Sequence, residues 1–392
     1  MVKHIKPLTS LRGIAAILIV IHHYVRFLIP NLGMSITSYS KFFSNGYLCV
    51  DFFFILSGFI LTHVYANNFT TKVSISNYRA FLYSRFTRLY PLHIFIILLF
   101  LGVEFLKLGF LLLKSKPIFD AANQSSLPFT GTQNIVALFS NIFMIQALDL
   151  NSPPLFGDKT YWNEPAWSIS AEWITYLLLP LLLFFLLKLP KIYDLVIYLS
   201  SLICLLFLIK FTYGHLDFIG IPSIGRCTLE GIIGILTYKV YRNINYRKYL
   251  GLNFTVIFSL LWILIVMHYD YQDILIIPAF SLLILSVSIN TKNNNIILNT
   301  LNSSLLIYLG TISYSIYMVH WFIQKSISLI YKSIFHVNFG TNFNIFQSVI
   351  ILVLYILVVT FTASLTYKFV ELKMQHYLKT TRFAKEYIFC GN

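Results

Sequence analysis

Few ionisable residues interrupt the long apolar segments of this chain, and those few are the residues that could do chemistry. An ionisable side chain inside a membrane costs free energy, so each one is a candidate for a functional role. Arg12 and His23 lie in the same apolar segment, eleven residues apart. At about 100° per residue, this spacing places both side chains on one face of a helix, with roughly 16 Å of rise between them. The adjacent His22 points elsewhere and is less suited to share a role with His23.

His23 is suited to acid–base or nucleophilic catalysis, because a neutral imidazole can take a proton from a hydroxyl group or attack a substrate. Two carboxylates near the start of other apolar segments are candidates for its partners. Asp51 could hydrogen-bond a histidine and fix its tautomer, or it could cap the N-terminus of a helix. Glu172 could take part in proton transfer, or it could remain a solvated carboxylate at the membrane interface. We expect His23, Asp51 and Glu172 to form a catalytic group.

Three arginines are candidates for binding an anion. Arg85 and Arg88 are three residues apart and therefore neighbours on a helix face. Paired guanidinium groups suit a phosphate group, although ordinary basic charge at the inner membrane surface also explains such a pair. Arg12, at the start of its own apolar segment, could join them. A fourth arginine, Arg226, stands four residues before Glu230, and this spacing predicts a structural ion pair inside the membrane.

The motif LGTISYSIYMVHW carries Tyr314, Tyr317 and His320 at steps of three residues along one side of a helix. An aromatic belt at the membrane interface explains the tyrosines, but it explains His320 less well. We expect Tyr317, His320 and Trp167 to contact the substrate. In contrast, Ser57 and Gly58 indicate close helix packing rather than chemistry.

The elements that position these residues are predicted to be membrane-spanning helices. Of the 392 residues, 57% are hydrophobic and only 11% are charged, whereas a soluble domain carries roughly 25% charged residues. A helix needs about 20 mostly apolar residues to cross the membrane. We therefore predict an all-α polytopic membrane protein of about ten transmembrane helices. The predicted spans lie near residues 11–29, 47–66, 90–113, 166–187, 193–211, 217–241, 251–268, 272–290, 304–329 and 345–369.

Lysine and arginine residues set the predicted orientation. With the N-terminus inside the cell, the inner loops collect most of the basic residues, and the outer turn His268–Asp273 is acidic. Both termini are therefore predicted to be cytoplasmic. The inner half then holds Arg12, Arg85 and Arg88. The outer half holds the remaining candidates, which are His23, Asp51, Glu172 and His320.

Two segments depart from this regular pattern of spans. Residues 114–165 form a long connection whose apolar part, Ile135–Leu150, is too short for a span, so we predict a partly inserted or surface-lying outer element. Residues 376–392 are predicted to be a cytoplasmic tail that follows a transmembrane domain of residues 1–375.

The net charge of +15 would suggest nucleic-acid binding in a soluble protein. Because the basic residues stand between apolar spans, we expect no nucleic-acid partner, and four scattered cysteines predict no metal site.

Six motifs resemble, in order, those of the acyltransferase 3 family of bacterial polytopic membrane acyltransferases. They extend from residue 11 to residue 371 and cover nearly the whole chain. Each motif alone is weak, whereas six motifs in family order are a specific signal. The matching stretches are LRGIAAILIVIHH, GYLCVDFFFILSGFI, RFTRLYPLH, WSISAEW, LGTISYSIYMVHW and YKFVE.

The resemblance implies that an acetyl or other short acyl group moves from cytoplasmic acyl-coenzyme A to a hydroxyl group of an extracytoplasmic glycan, such as O-antigen, capsule or exopolysaccharide. It implies an O-acetyltransferase of the bacterial inner membrane, with acetyl-coenzyme A as donor substrate and no metal. Its partners would be membrane lipids and a surface or lipid-linked glycan. The family's first-span histidine falls on His23 rather than His22. Its other site positions fall on Arg12, Arg85, Arg88 and Glu172.

Two positions depart from the family pattern, and two other functions stay open. Trp173 stands where members often have a second acidic residue or a glutamine, and Glu371 is not followed by the usual proline motif. The family role of Glu371 therefore does not carry over.

A transporter of glycan or lipid-linked glycan without catalysis would also explain buried polar groups in a membrane fold. A purely structural membrane subunit predicts no pocket joining Arg88 to His23.

Overall fold

The computed structural model describes residues 4–114, 127–149, 161–212, 214–243, 250, 252–269, 271–290, 296–381, 384 and 388. Regular structure in this part of the chain is entirely helical. Two helices continue as π-helical turns, α1 through Tyr24–Leu28 and α14 through Tyr367–Leu372. The α-helices are α1 (Lys6–His23), α2 (Pro30–Thr37), α3 (Cys49–Phe69), α4 (Ile75–Lys114), α5 (Ile135–Ile142), α6 (Trp167–Lys188), α7 (Ile192–Phe211), α8 (Ile221–Arg242), α9 (Asn253–Tyr269), α10 (Ile276–Ile289), α11 (Ile296–Leu301), α12 (Ser304–Thr311), α13 (Ser313–Phe335), α14 (Ile345–Thr366) and α15 (Lys373–Thr380).

A helix lies at each predicted span, but not every one is long and apolar enough to cross a membrane alone. The bent pair α12–α13 can form one span together, whereas α9 and α10 are apolar but shorter. The prediction of an all-helical, multi-pass membrane protein is confirmed. The count of ten spans and the cytoplasmic termini remain predictions. Six stretches of the described chain meet the length and hydropathy of a span: Lys6–Leu28, Ser44–Phe69, Ile75–Leu113, Glu164–Lys188, Ile192–Phe211 and Ile345–Thr380.

The predicted outer connection, residues 114–165, contains a short helix. Helix α5 has eight residues, which is too few to cross the membrane. Asn134 caps its N-terminus, because its side-chain oxygen accepts a hydrogen bond from the backbone N–H of Ala137 at 2.7 Å. The rest of the apolar stretch turns back toward the bundle through residues 143–149, and residues 115–126 and 150–160 lie outside the described residues. Most of the predicted tail, residues 376–392, also lies outside them.

Two pairs of helices meet backbone to backbone, and glycine permits both contacts. Helix α1 meets α12 where Gly13 faces Gly310, so closely that a Cβ atom at Gly13 would lie 2.6 Å from the backbone nitrogen of Gly310. Helix α3 meets α8 where a Cβ atom at Gly58 would overlap the carbonyl oxygen of Gly231. The first contact fixes the helix that carries the predicted catalytic histidine. The prediction that Gly58 permits close helix packing is confirmed.

Replacing Gly310 by alanine is expected to destabilise the protein. A Cβ atom at this position would overlap the carbonyl oxygen of Thr9, so α1 and α12 must separate at a cost of roughly 1–3 kcal/mol. The melting temperature of the detergent-purified variant should fall. The matched control is Gly102→Ala in α4, where a Cβ atom would meet nothing within 4 Å and where alanine favours the helix by about 1 kcal/mol. Equal melting temperatures for the two variants would contradict this account.

A bend of 65° separates α12 from α13 and directs α13 into the bundle between α1 and α14. Hydrogen bonds tie α13 to both neighbours. The Tyr355 hydroxyl of α14 donates to the carbonyl oxygen of His320 at 2.9 Å. Gln324 Nε2 of α13 donates to the carbonyl oxygen of His23 at 3.3 Å. The bend therefore brings His320 to the same depth in the bundle as His23, although the two residues are distant in sequence.

Candidate active site

Two cavities lie at different depths along α1. The histidine cavity has a volume of about 290 Å³, and the arginine cavity has a volume of about 180 Å³. Helix α1 is unbroken from Lys6 to His23, so Arg12 and His23 lie on one helix face as predicted, and each lines one of the two cavities. The polar and aromatic wall of the histidine cavity comprises His22, His23, Arg26, Phe27, Tyr47, Asp149, Glu164, Trp167, Thr212, His215, Asp217, Phe218 and Tyr317. That of the arginine cavity comprises Arg12, Phe53, Phe54, Ser57, Arg85, Arg88, Ser168, Glu172, Tyr176, Ser313, Tyr314 and Tyr317.

His23 and His320 form a hydrogen-bonded pair at the histidine cavity. His23 Nδ1 and His320 Nε2 are 2.9 Å apart, and the two rings stack with their centroids 5.0 Å apart. His320 Nδ1 lies 3.3 Å from the carbonyl oxygen of Ile316. Because a carbonyl oxygen only accepts, this nitrogen carries the proton of a neutral ring. His320 Nε2 must then accept from the N–H at His23 Nδ1, which leaves the lone pair of His23 on Nε2.

His320 was predicted to contact the substrate, but it lies behind His23. It is fully buried and lines neither of the two cavities. It therefore does the task that was expected of Asp51, namely fixing the tautomer of His23. His22 is oriented separately, because its Nδ1 donates to the carbonyl oxygen of Phe43 at 3.0 Å.

Asp51 lies away from the histidines, beside the buried guanidinium group of Arg226. Arg226 Nε donates to Asp51 Oδ1 at 2.7 Å, and the two side chains are 1% and 0% exposed. Glu230 lies 3.5 Å from the same nitrogen, so the predicted ion pair is present with Asp51 as an additional member. Asp51 also does not cap α3, whose N-cap residue is Leu48. A buried guanidinium group needs a counter-charge, so we assign Asp51 to Arg226 and leave it out of the proposed catalytic group.

Glu172 lies in the arginine cavity, and its expected position beside the histidines is wrong. Its carboxylate accepts hydrogen bonds from Ser57 Oγ at 2.6 Å and from the Tyr176 hydroxyl. The start of α6 is covered by the loop of residues 143–149, because Ser170 Oγ donates to the carbonyl oxygen of Met144 at 2.8 Å. Glu172 is therefore inside the bundle and not at the outer surface. Ser57, which was expected only to permit packing, is a hydrogen-bond donor to it.

Arg88 is held at the arginine cavity by Glu371. The two side chains form an ion pair in which Glu371 is 1% exposed. Ser315 Oγ donates to the other carboxylate oxygen at 2.8 Å. Glu371 does not itself line the cavity, so it orients the guanidinium group without filling the space. Glu371 therefore has a structural role, which is to anchor Arg88. The sequence predicted no role for it, because the residues that follow it differ from the family motif. The pair also brings the end of α14 to the side of the bundle where α1 begins.

Arg12 and Arg85 give the arginine cavity an excess of positive charge. Arg85 Nη2 donates to the Tyr65 hydroxyl at 3.3 Å, and its Nε is buried without a hydrogen-bond partner. Among the described residues, no carboxylate forms an ion pair with either arginine. Glu172 is the one carboxylate in this wall. Three guanidinium groups facing one carboxylate are suited to a phosphate-bearing ligand.

The histidine cavity has the opposite charge balance. Arg26, one helical turn beyond His23, pairs with Asp217 at 2.5 Å. Burial raises the pKa of the Asp217 carboxyl, but Arg26 outweighs this effect and holds the pKa below its usual value. Asp217 is therefore ionised at neutral pH. Asp149 and Glu164 also line this cavity, so its wall carries three carboxylates and one arginine.

Tyr317 lies between the two cavities and lines both of them. Its hydroxyl donates to the carbonyl oxygen of Pro165 at 2.7 Å and lies 2.6 Å from Ser168 Oγ. Val50 is the other residue that lines both cavities. Trp167 lines only the histidine cavity. Of the three predicted substrate contacts, Tyr317 and Trp167 therefore face a cavity, whereas His320 does not.

A family model described as an acyltransferase domain matches residues 6–368. The chain belongs to the acyltransferase 3 family. The match includes every element that builds the two cavities, and it confirms the resemblance inferred from the six motifs. A relative from Rhizobium radiobacter, named Protein 2 in picA locus, is 36% identical over 87 residues, which is 22% of this chain and 39% of that protein. The match thus spans well under half of the relative's length. No solved structure matches the chain significantly.

The chain is therefore a multi-pass membrane protein of the acyltransferase 3 family. The histidine and the arginines that the family motifs indicate lie in adjoining cavities, His23 and Arg12 on α1 and the other two arginines on α4. In the described part of the chain, no group of three or more His, Cys, Asp or Glu side chains is arranged to hold a metal ion.

Several residues of this candidate site were not found from the sequence. Arg26 could have been found, because it stands three residues after His23 and so lies near it on the same helix face. Tyr176, which donates to Glu172, stands four residues after it and follows the same rule. Asp217 lies in the connection between α7 and α8, where no local pattern indicates that it meets Arg26.

Proposed function

We propose that this acyltransferase moves an acetyl group from acetyl-coenzyme A at the arginine cavity to a hydroxyl group of a glycan at the histidine cavity. The observation that supports this most is that the two cavities adjoin, with Val50 and Tyr317 lining both. Acetyl-coenzyme A carries phosphates at one end and a thioester at the other. Such a donor suits a site with guanidinium groups on one side and a histidine on the other.

We place the arginine cavity toward the cytoplasm of a bacterial inner membrane. Basic residues cluster at the start of α1 (Lys3, Lys6 and Arg12) and from the end of α3 into α4 (Lys72, Arg79, Arg85 and Arg88), and the positive-inside rule favours a cytoplasmic location for such regions. Arg12 and the Arg88–Glu371 pair lie on that side of the bundle. The histidine cavity then faces outward, so the donor and the acceptor approach from opposite sides of the membrane.

His23 acts as the general base in the proposed reaction. The acceptor hydroxyl oxygen attacks the thioester carbonyl carbon while the lone pair of His23 Nε2 takes the hydroxyl proton. The carbon–sulfur bond then breaks, its electron pair leaves on sulfur, and the thiolate takes the proton back from His23. The products are coenzyme A and the O-acetyl ester. His320 keeps His23 in the productive tautomer by accepting the hydrogen bond from its Nδ1.

A neutral sugar is the acceptor that best suits the histidine cavity. Carboxylates such as Glu164 and Asp217 accept hydrogen bonds from sugar hydroxyls. Trp167 offers an aromatic surface at the same cavity, and aromatic rings combine apolar contact with polar edges. Three carboxylates against one arginine disfavour a negatively charged group. We therefore propose a surface glycan or lipid-linked glycan whose acetylated unit is uncharged.

Two measurements test this function. Mass spectrometry of surface glycans from cells with and without the gene should show acetyl esters only when the gene is present. Purified protein should release coenzyme A from acetyl-coenzyme A in the presence of membrane glycan. A transporter without catalysis predicts altered glycan export but no release of coenzyme A, and that result would refute the proposal.

Replacing Arg85 by methionine should weaken binding of acetyl-coenzyme A. The change removes one cavity-facing charge and breaks no carboxylate pair among the described residues. A charge-assisted hydrogen bond contributes about 1.5–3 kcal/mol, so KM for acetyl-coenzyme A should rise roughly ten- to hundredfold. The matched control is Arg79→Met, since Arg79 is an exposed residue of the same helix outside the cavity. A KM that rises equally in both variants would indicate general surface charge instead.

A further inference from the structure

The two cavities adjoin at a partition formed by Val50 and Tyr317. These are the residues that the walls of both cavities share, and each is only 7% exposed. Arg12 and His23 lie on opposite sides of this partition along α1. A group that extends from the arginine cavity to His23 across this partition contacts the side chains of Val50 and Tyr317.

The two sides of this partition differ in how firmly they are held. The Tyr317 hydroxyl is fixed by Pro165 and Ser168 at 2.7 and 2.6 Å. Its ring lies beside His320, with centroids 5.9 Å apart. Val50 offers two methyl groups in the first turn of α3 and makes no polar contact through its side chain. The size of the side chain at position 50 therefore sets the width of the partition.

We propose that Val50, opposite Tyr317, limits this enzyme to short acyl groups. The inference rests on the proposed function, in which the arginines hold the phosphate end of acyl-coenzyme A. The acyl chain is then the leading end of the donor and reaches the partition first. Each added methylene must pass Val50 and occupy the space beside His23 before the thioester carbonyl carbon can meet the acceptor hydroxyl. A two-carbon group satisfies this condition, whereas longer chains meet the valine methyl groups.

The test uses full-length protein in membrane vesicles that contain the native acceptor. Release of coenzyme A is measured with acetyl-, butyryl- and hexanoyl-coenzyme A for the wild type, Val50→Ala, Val50→Leu and Val64→Ala. Val64→Ala is the matched control, because Val64 lies in the same helix, is 41% exposed and lines neither cavity. The amount of each variant in the membrane is measured by immunoblot, so that kcat/KM refers to folded protein.

The wild type should prefer acetyl- to butyryl-coenzyme A by about a hundredfold, because poorly accommodated methylenes cost roughly ten- to 200-fold in kcat/KM. Val50→Ala should reduce that preference by about tenfold or more, and Val64→Ala should leave it unchanged. Val50→Leu should lower the rate with acetyl-coenzyme A and raise the preference further. This second variant tests the same passage in the opposite direction, so the result does not depend on Val50→Ala alone.

The possible failures are distinguishable from one another. Equal use of hexanoyl- and acetyl-coenzyme A by the wild type would overturn the size limit while leaving the acyltransferase function intact. An unchanged preference in both Val50 variants would overturn the assignment of Val50. No release of coenzyme A from any donor by the wild type would overturn the proposed function, and this inference with it.

Discussion

Replacing His23 by alanine is expected to abolish glycan acetylation while the protein remains in the membrane. The His23 ring lines the histidine cavity with its lone pair on Nε2, as the bond to His320 requires. A positioned general base contributes about 10²–10⁴-fold to the rate. We therefore expect kcat to fall by a factor on the order of 10³, with KM for acetyl-coenzyme A changed little, because the arginines lie in the other cavity.

His268→Ala is the matched control for this experiment. His268 is half-buried, bonds to Ser40 Oγ at 2.8 Å and lines neither cavity. Acetylation is measured by mass spectrometry of surface glycans, and the amount of protein in the membrane is measured for both variants. Near-normal acetylation with His23→Ala would show that another group takes the proton from the acceptor.

Replacing His320 by phenylalanine should produce the second large loss of activity. Phenylalanine fills most of the ring space but cannot accept the hydrogen bond from His23 Nδ1, which is 2.9 Å away from His320 Nε2. Leaving a buried donor without its partner costs about 1–3 kcal/mol. If the neutral tautomer of His23 is disturbed by that amount, kcat should fall roughly ten- to hundredfold.

The variant His320→Gln distinguishes a role of His320 in orienting His23 from a role in packing alone. Its side-chain oxygen can accept from His23 Nδ1, so His320→Gln should retain more activity than His320→Phe. Both variants should keep the wild-type KM for acetyl-coenzyme A, because His320 lines neither cavity. If the glutamine and phenylalanine variants lose activity equally, or if KM changes as much as kcat, His320 does not act by fixing the tautomer.

Much of the fold could be predicted because it depends on local properties of the chain. The apolar runs predicted a helix at each of the ten places where one is found. The spacing between Arg12 and His23 predicted that they share one face of α1. The length of each span was harder to predict. The 65° break between α12 and α13 interrupts one apolar run, and it depends on how α13 packs against α1 and α14.

The candidate site was only partly predictable, because its partners are chosen by tertiary packing. Glu172 was expected near the outer surface from the predicted orientation of the spans, but the loop of residues 143–149 covers the start of α6. Asp51 was expected to pair with a histidine, and no sequence spacing indicates that Arg226 comes within 2.7 Å of it. The pairing of His23 with His320 spans 297 positions of the chain. The Asp51–Arg226 contact accompanies the glycine-mediated approach of α3 to α8, and the histidine pair accompanies that of α1 to α12. No single segment of the sequence reveals either approach.

The thin partition at Val50 and Tyr317 also bears on the energy supply of a cell that carries this protein. In the proposed orientation the two cavities face opposite sides of the membrane, and among the described residues Val50 and Tyr317 are common to both walls. A continuous file of water at this point would conduct protons and dissipate the transmembrane proton gradient. We expect Tyr317, whose hydroxyl is held by Pro165 and Ser168, to prevent such a file. The need to keep that gradient therefore sets an upper limit on how wide the passage can become.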